Sequence, residues 1–342
     1  MAWIPAFRIT PRCLNLVSEA SELRAWIARS VIDVQWLPLL QREAASHLAH
    51  SSTSIEGNPL TLPEVEALAR GEMASPGTRE THEVLNYLAA MRWIWEKKSG
   101  ANVRVDDLVK LHHTLTQRTL PDDQCGTWKN RTNRVVDTKG ITLYTPPGPE
   151  HARPLTEDLL HWLASSRAQD LHPILASAMA HHRLVSIHPF SDGNGRTARA
   201  LGVWILWVRG FDTQHLFALD DFYANDRPRY YQKIQQARDL DDDLSDWLDY
   251  VAEGVVWTLE QTRRRIQSLQ VSSRKRKIIL TKRQEDLLRF LRDKGRSGAP
   301  EIEKAFKISR VRVGQILHPL ISAGLVKRHG RTRGATYELK ST

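Results

Sequence analysis

Seven residues able to do chemistry fall within the twelve from His188 to Arg199: His188, Asp192, Gly193, Asn194, Gly195, Arg196 and Arg199. An imidazole can take a proton from an attacking hydroxyl. Two arginines three apart share one helix face and can fork onto phosphate oxygens. Two glycines let a backbone turn sharply and approach a ligand closely. Asp192 would be repelled by bare phosphate, but suits a hard cation such as Mg²⁺ lying between carboxylate and phosphates. These residue types point to a phosphate-handling active site. The plainer alternative is a Gly-rich turn with solvated arginines.

The flanks say how such residues would be held. Ile174–Ile187 is largely apolar and follows Pro173, which suits a helix first turn. A second apolar run, Ala200–Val208, closes at Gly210, suited to a left-handed cap. The stretch therefore reads as a tight loop feeding a helix N-terminus, where unpaired N–H groups and the helix dipole favour anions. It is neither a Walker A loop nor a calcium EF-hand, because the residues those motifs require are missing.

The stretch fits every fixed position of H-x-F-x-[D/E]-G-N-G-R-x-x-R, and so resembles the signature of the Fic family. The resemblance implies AMP transfer from ATP, with Mg²⁺, to a Ser, Thr or Tyr hydroxyl of a target protein. It gives the role of base to His188 and of metal ligand to Asp192. Gly193, Asn194, Gly195 and Arg196 would cradle phosphates, and Arg199 would hold the γ-phosphate. The Doc branch, which phosphorylates instead, departs from the G-N-G-R-x-x-R end that this chain keeps whole.

Further resemblances follow along the chain. Spacing alone makes Ser52 to Pro59 as much a helix stop as a functional segment. Ser52, Glu56 and Gly57 nonetheless match the family's inhibitory pattern [S/T]-x-x-x-E-[G/N], and its place before the catalytic motif resembles the N-terminal inhibitory class. Glu56 would then pair with Arg199 and deny it to the γ-phosphate. Residues 121–150 break the helical pattern, and Val135-Val136 and Ile141 to Tyr144 read as a hairpin around a Gly-containing turn. The resemblance makes this hairpin a flap that docks the target by strand addition, with Leu143 and Tyr144 as docking candidates. Tyr230 and Tyr231 lie where the family borders the adenine. Arg238 stands where many relatives carry Asn, an imperfect match on the ribose side. The pairs His112-His113 and His181-His182 read as core or surface histidines, since helical neighbours point apart.

The 342 residues suffice for two or three domains, with the hydrophobic (41%) and charged (26%) shares of a soluble globular chain. Residues 1–8 show no signal peptide and no apolar run is long enough for a bilayer. Cys13 and Cys125 lack metal or redox spacing, so a cytoplasmic setting without a membrane partner is expected. The net charge of +10 is uneven, because residues 271–342 hold 19 Lys/Arg against 6 Asp/Glu. That asymmetry points to a separate module with a polyanionic partner.

The tail reads as three helices and a hairpin, similar to a winged helix-turn-helix domain. Arg310, Arg312 and Gln315 would face a major groove, with Arg331 and Arg333 meeting phosphates of double-stranded DNA. A winged helix used for protein contacts is the alternative. The expected architecture is an all-α Fic fold with a small β-hairpin flap, then the winged-helix domain. Boundaries are expected at 1–60 (N-terminal helices), 61–260 (catalytic), 261–278 (basic linker) and 279–342. The functions weighed are a protein adenylyltransferase inhibited by Glu56, a DNA-binding regulator sensing nucleotide through its Fic domain, and a de-AMPylase. A homodimer is compatible with all three.

Overall fold

The computed structural model describes residues 3–30, 37–72, 77–136, 140–275, 281–322, 325–330 and 334–339. The chain divides into two units, residues 1–266 and 267–342. The first contains α1 (Pro11–Arg29), α2 (Leu37–Ile55), α3 (Leu62–Ala69), α4 (Arg79–Trp95) and α5 (Val105–Thr116). A two-stranded ribbon, β1 (Val135–Val136) and β2 (Thr142–Tyr144), separates these from α6 (Pro149–Ala164) and α7 (Ser166–Gln169). There follow α8 (Pro173–Ile187), α9 (Asn194–Val208), α10 (Asp220–Asn225), α11 (Arg227–Asp239) and α12 (Ser245–Lys275), the last running past residue 266.

The antiparallel pair α8 and α9 forms the centre. All of α8 but Pro173 and Arg183, and all of α9 but Gly195 and Trp207, is buried. Gly202 lets the two backbones approach, because a Cβ there would lie 3.2 Å from Ser177 Oγ, which donates to the Gly202 carbonyl at 2.9 Å. Helix α2 packs on α4 and α10 and reaches α9. Its buried residues, among them Leu48, Ala49, Ser52 and Ile55, follow a helical period that faces the inner layer.

Local signals explain where the elements depart from expectation. Residues 1–15 read as irregular, yet α1 starts at Pro11 because Thr10 caps it, accepting from Cys13 N at 2.9 Å. Helix α6 was not anticipated, although Pro149 occupies its first turn and Ala152, Thr156, Leu159 and Leu163 recur at helical spacing. Helix α9 begins at Asn194, well before Ala200. The single helix expected from Phe222 to Arg238 is broken, because Asp226 caps a new start by accepting from Arg229 N at 3.1 Å, with Pro228 just inside. The start of α2 expected at Val31 lies outside the described residues.

The second unit holds α13 (Lys282–Lys294), β3 (Ser297–Gly298), α14 (Ala299–Phe306), α15 (Arg310–Ser322), β4 (Val326–His329) and β5 (Thr336–Leu339). Thr281 and Gln284 close a capping box on α13. The three strands form an antiparallel sheet in the order β3-β5-β4, with Arg328 opposite Tyr337 and Ser297 also opposite Tyr337. Strand β3 lies where only a break was expected. Leu287, Leu291, Ile302, Val313, Leu317, Leu320 and Val326 make the core. Pro319 inside the pattern predicts a kink or a short break before Ala323; α15 is not broken there and continues to Ser322. Burial of Leu317 and Leu320 on either side of the proline offsets its missing donor. Gly324, Arg331 and Arg333 lie outside the described residues, as does the hairpin turn at Thr138-Lys139.

Candidate active site

The loop between α8 and α9 is built largely by its own polar groups. His188 ends α8 in a left-handed conformation, φ 51° and ψ 58°. Its Nδ1 lies 3.2 Å from the Val185 carbonyl. A carbonyl can only accept, so Nδ1 carries the proton and Nε2 keeps its lone pair. Burial, against the opposing pull of that carbonyl, lowers the His188 pKa to about 4, with Arg238 and Lys129 adding to the fall. At neutral pH the ring is a free base aimed away from its own helix.

Asn194 staples the loop: its Oδ1 accepts from Phe190 N and its Nδ2 donates to Phe190 O, both at 2.9 Å. Its side chain is therefore committed to the loop, leaving its backbone to face an anion. Beneath, the fully buried Phe190 ring stacks on His112 at 3.8 Å and on Trp128 at 5.4 Å. His112 Nε2 donates to the Asp192 carbonyl at 2.9 Å while its Nδ1 accepts from Gly126 N at 3.0 Å. His112 is thus the post on which the turn hangs, with burial pushing its pKa down to about 4. Gly193 follows at φ +75°, where a Cβ would meet Thr116 Cγ2 at 2.7 Å.

Each motif arginine faces a carboxylate. Arg196 Nη1 is 3.3 Å from Glu83 Oε1, and Arg79 bridges Glu83 (3.3 Å) to Asp192 Oδ2 (3.5 Å). Arg199 is held more fully. Its Nε donates to Ser52 Oγ and its Nη2 to the Ser52 carbonyl, both at 2.8 Å, and Nη2 also donates to Glu56 Oε1 at 2.7 Å. Buried Asp220 lies 3.9 Å from Nε and accepts from Tyr87 OH at 2.7 Å. Burial opposes the charge on Arg199, but Glu56, Tyr230 and Asp220 outweigh it and hold the guanidinium protonated.

The helix stop and the Glu56 contact turn out to be one feature. Gly57 at φ +94° completes a Schellman motif, with Gly57 N bonded to Ser54 O (2.9 Å) and Asn58 N to Thr53 O (3.1 Å). That turn ends α2 with Glu56 aimed across Gly195 at Arg199. Glycine at 195 leaves room for this contact, since a Cβ there would collide with the Glu56 carboxylate and push it off Arg199.

The tyrosine pair divides. Tyr230 is buried, its hydroxyl 2.9 Å from His181 Nε2 and its ring against Tyr223. Tyr231 is the partly exposed one, its hydroxyl donating to Ile55 O at 3.3 Å, so only Tyr231 offers a face to a base without unpacking the core. Leu143 is exposed on β2, and Tyr144 is half-buried. Arg238 does not line an open ribose site: it donates to Val185 O and Ser186 Oγ and covers the Tyr144 ring. In the second unit Arg310, Arg312 and Gln315 are all exposed on α15, with Arg312 Nη1 donating to Gln315 Oε1 at 2.8 Å.

Sequence reasoning missed Arg79, Glu83, Tyr87, Lys129 and Asp220. Only the Arg79–Glu83 spacing of four offered a local signal, and that spacing is common on helices.

An anion fits this place. Arg196 Nε and Arg199 Nη1 are buried donors with no hydrogen-bond partner among the described residues, and Arg196 Nη1 makes an ion pair with Glu83 but no hydrogen bond. Such groups are costly to leave unmade, and both arginines stand on the first turns of α9, whose N-terminal N–H groups also favour an anion. No cluster of three or more His, Cys, Asp or Glu residues able to hold a metal occurs among the described residues. Asp192, whose side chain is half exposed, is the carboxylate that the loop itself carries. That suits a cation bound chiefly through phosphates.

Residues 102–206, which include this loop, match the Fic/DOC family. The chain is similar to the protein adenylyltransferase Fic of Nematostella vectensis, 31% identical over 218 residues, covering 63% of this chain and 47% of that protein. The protein adenylyltransferase fic-1 of Caenorhabditis elegans is 30% identical over 219 residues, covering 63% of this chain and 40% of that one. The chain thus spans less than half the length of these relatives. A crystal structure of a Fic family protein from Desulfovibrio desulfuricans has the same fold over 99% of both chains, with a TM-score of 0.74 at 22% identity. The structure of residues 134–508 of C. elegans Fic-1 gives a TM-score of 0.62 at 26% identity, covering 75% of this chain and 73% of that one.

Proposed function

We propose that the protein transfers AMP from ATP to a hydroxyl side chain of a target protein and is held inactive by Glu56. One observation carries the reading: Arg199 is bound by Ser52 and Glu56, while Nε of Arg196 and Nη1 of Arg199 are buried without a hydrogen bond on the helix that follows a neutral His188. His188 Nε2 would take the proton of the target hydroxyl as its oxygen bonds the α-phosphorus. The bond from that phosphorus to the oxygen bridging to the β-phosphate breaks, and pyrophosphate leaves. Arg196 and the start of α9 would steady the phosphates. Asp192 would hold Mg²⁺, which supplies charge neutralisation on the leaving pyrophosphate. Arg199 can reach the γ-phosphate only by giving up Glu56. While Glu56 keeps it, bound ATP lacks the orientation for in-line attack. The relatives named as adenylyltransferases support this reading.

The test incubates wild type, Glu56→Gly and His188→Ala with target-containing lysate and ATP labelled at the α or the γ position. Label from the α position only, strongest with Glu56→Gly and nearly absent with His188→Ala, is the expected result. Full activity in His188→Ala overturns the mechanism. Label from γ alone means phosphorylation. Release of AMP that is lost in Glu56→Gly means the reverse reaction.

A second reading concerns the tail. The exposed Arg310, Arg312 and Gln315 on one helix, within a segment of strong positive charge, support a winged helix-turn-helix that binds double-stranded DNA. Duplex affinity should fall steeply with salt, and R310A/R312A should flatten the slope. Binding independent of salt would overturn it.

A further inference from the structure

The C-terminal turn of α8, which presents His188, is gripped from two sides by cations that the reaction above does not use. A helix leaves its last four carbonyls without helical partners. Here all four are taken. Leu184 O accepts from His188 N at 3.0 Å. Val185 O accepts from His188 Nδ1 at 3.2 Å and from Arg238 Nη2 at 3.1 Å. Ser186 O accepts from Tyr144 OH at 3.1 Å, and Ile187 O from Lys129 Nζ at 3.4 Å. Arg238 Nε also donates to Ser186 Oγ at 3.0 Å, and its guanidinium carbon sits 3.9 Å from the centre of the Tyr144 ring. Lys129 is buried, donates through its backbone to Pro189 O at 2.9 Å, and through Nζ to Asn133 Oδ1 at 2.9 Å.

We propose that Arg238 is a positioning residue: through Tyr144 it clamps flap strand β2 to the last turn of α8, and through Val185 it sets the His188 ring, with Lys129 bracing the opposite side. The proposal rests on the transfer reading above. The stack on Tyr144 uses the planar guanidinium, which an ammonium cannot reproduce. The shared Val185 carbonyl ties the clamp to the base. A helix C-terminus favours a charged histidine; burial overrides that preference here, and the two cations capping the turn act in the same direction as burial. The charged groups acting on the His188 ring are Arg238 from α11, Lys129 from the segment before β1, and Glu56 from the end of α2, the last acting the other way. The flap and the base are therefore set by one side chain, so the edge that receives a target and the nitrogen that deprotonates it stay in register.

Three variants separate the parts: Arg238→Met, Arg238→Lys and Tyr144→Leu. Two measurements need no activity, namely amide exchange of residues 141–145 by mass spectrometry and the titration of the His188 ring by NMR. Arg238→Met should speed flap exchange at least about tenfold and raise the His188 midpoint by about half a pH unit. Arg238→Lys should restore the midpoint but leave the flap fast. Tyr144→Leu should loosen the flap alone and, in a Glu56→Gly background, raise KM for the target more than it lowers kcat. Flap exchange within twofold of wild type in Arg238→Met overturns the clamp, as does an equal rise in peptides of α9. If Glu56→Gly transfers no AMP, the function reading fails, while exchange and titration still decide the clamp.

Discussion

Arg199 has one guanidinium and two claimants, the carboxylate of Glu56 and an incoming phosphate. A charged hydrogen bond in a buried setting is worth about 1.5–3 kcal/mol. Glu56→Gly should therefore raise AMP transfer roughly 10- to 100-fold at saturating ATP, read as initial rate of label incorporation. An unchanged rate would mean that the Glu56 contact restrains nothing. His188 supplies a second prediction at this scale. The reactive form is the neutral ring, present above the folded pKa of about 4. The acid limb of the Glu56→Gly pH profile should therefore fall near pH 4. A limb near the ordinary value of about 6.5 would show that the ring is not held as described.

At the scale of elements, the α8–α9 loop depends on bonds that no local propensity encodes. Asn194→Ala leaves the buried Phe190 N–H unpaired, while its carbonyl keeps only the bond from Asn133 Nδ2 at 2.9 Å, so it should destabilise the fold by about 1–3 kcal/mol and weaken nucleotide binding, checked by urea denaturation and calorimetry. Gly193→Ala meets both a positive φ and a methyl clash with Thr116, and should be at least as damaging. A proline in the first turn marked the helix start at Pro173, and the same signal was overlooked at Pro11, Pro149 and Pro228. Pro319 misled in the other direction, because tertiary burial of Leu317 and Leu320 carries α15 through it.

At the scale of the molecule, burial keeps several histidines neutral. His112, His182 and His188 are each pushed down to about 4, and His181 falls further. Their unfolded values lie near 6.5, so between about pH 6.5 and 4 the unfolded chain binds more protons. Stability must then rise with pH across that window, by up to about 1.4 kcal/mol per pH unit for each histidine. His47, held up by its hydrogen bond to Asp221, opposes this with a single group. All 11 tryptophans lie at or before Trp257, so their fluorescence follows the first unit alone. Its melting temperature should drop steadily from pH 7 to 4.5, and a flat profile would contradict the burial of these rings. No helix among the described residues is long and apolar enough to cross a membrane.

The sequence by itself marked the loop as suited to phosphate, and its resemblance to the Fic signature paired Glu56 with Arg199, a contact the structure contains. A dense motif is a local pattern of residue types, and a carboxylate with its glycine stop is another. It also placed the positive charge in the tail. Only the tertiary structure decided which side chains hold that loop in place. His112, Glu83, Lys129 and Asp220 come from distant segments, and a histidine or lysine in a helix or turn carries no mark of what it will face. The same holds for Tyr230 and Tyr231, identical in type and adjacent in sequence, of which packing against His181 and Tyr223 buried one and left the other a face. Arg238 is the sharpest case. By sequence it was a misfit on the ribose side, and only the fold brought it over Tyr144 and onto the helix end that carries His188.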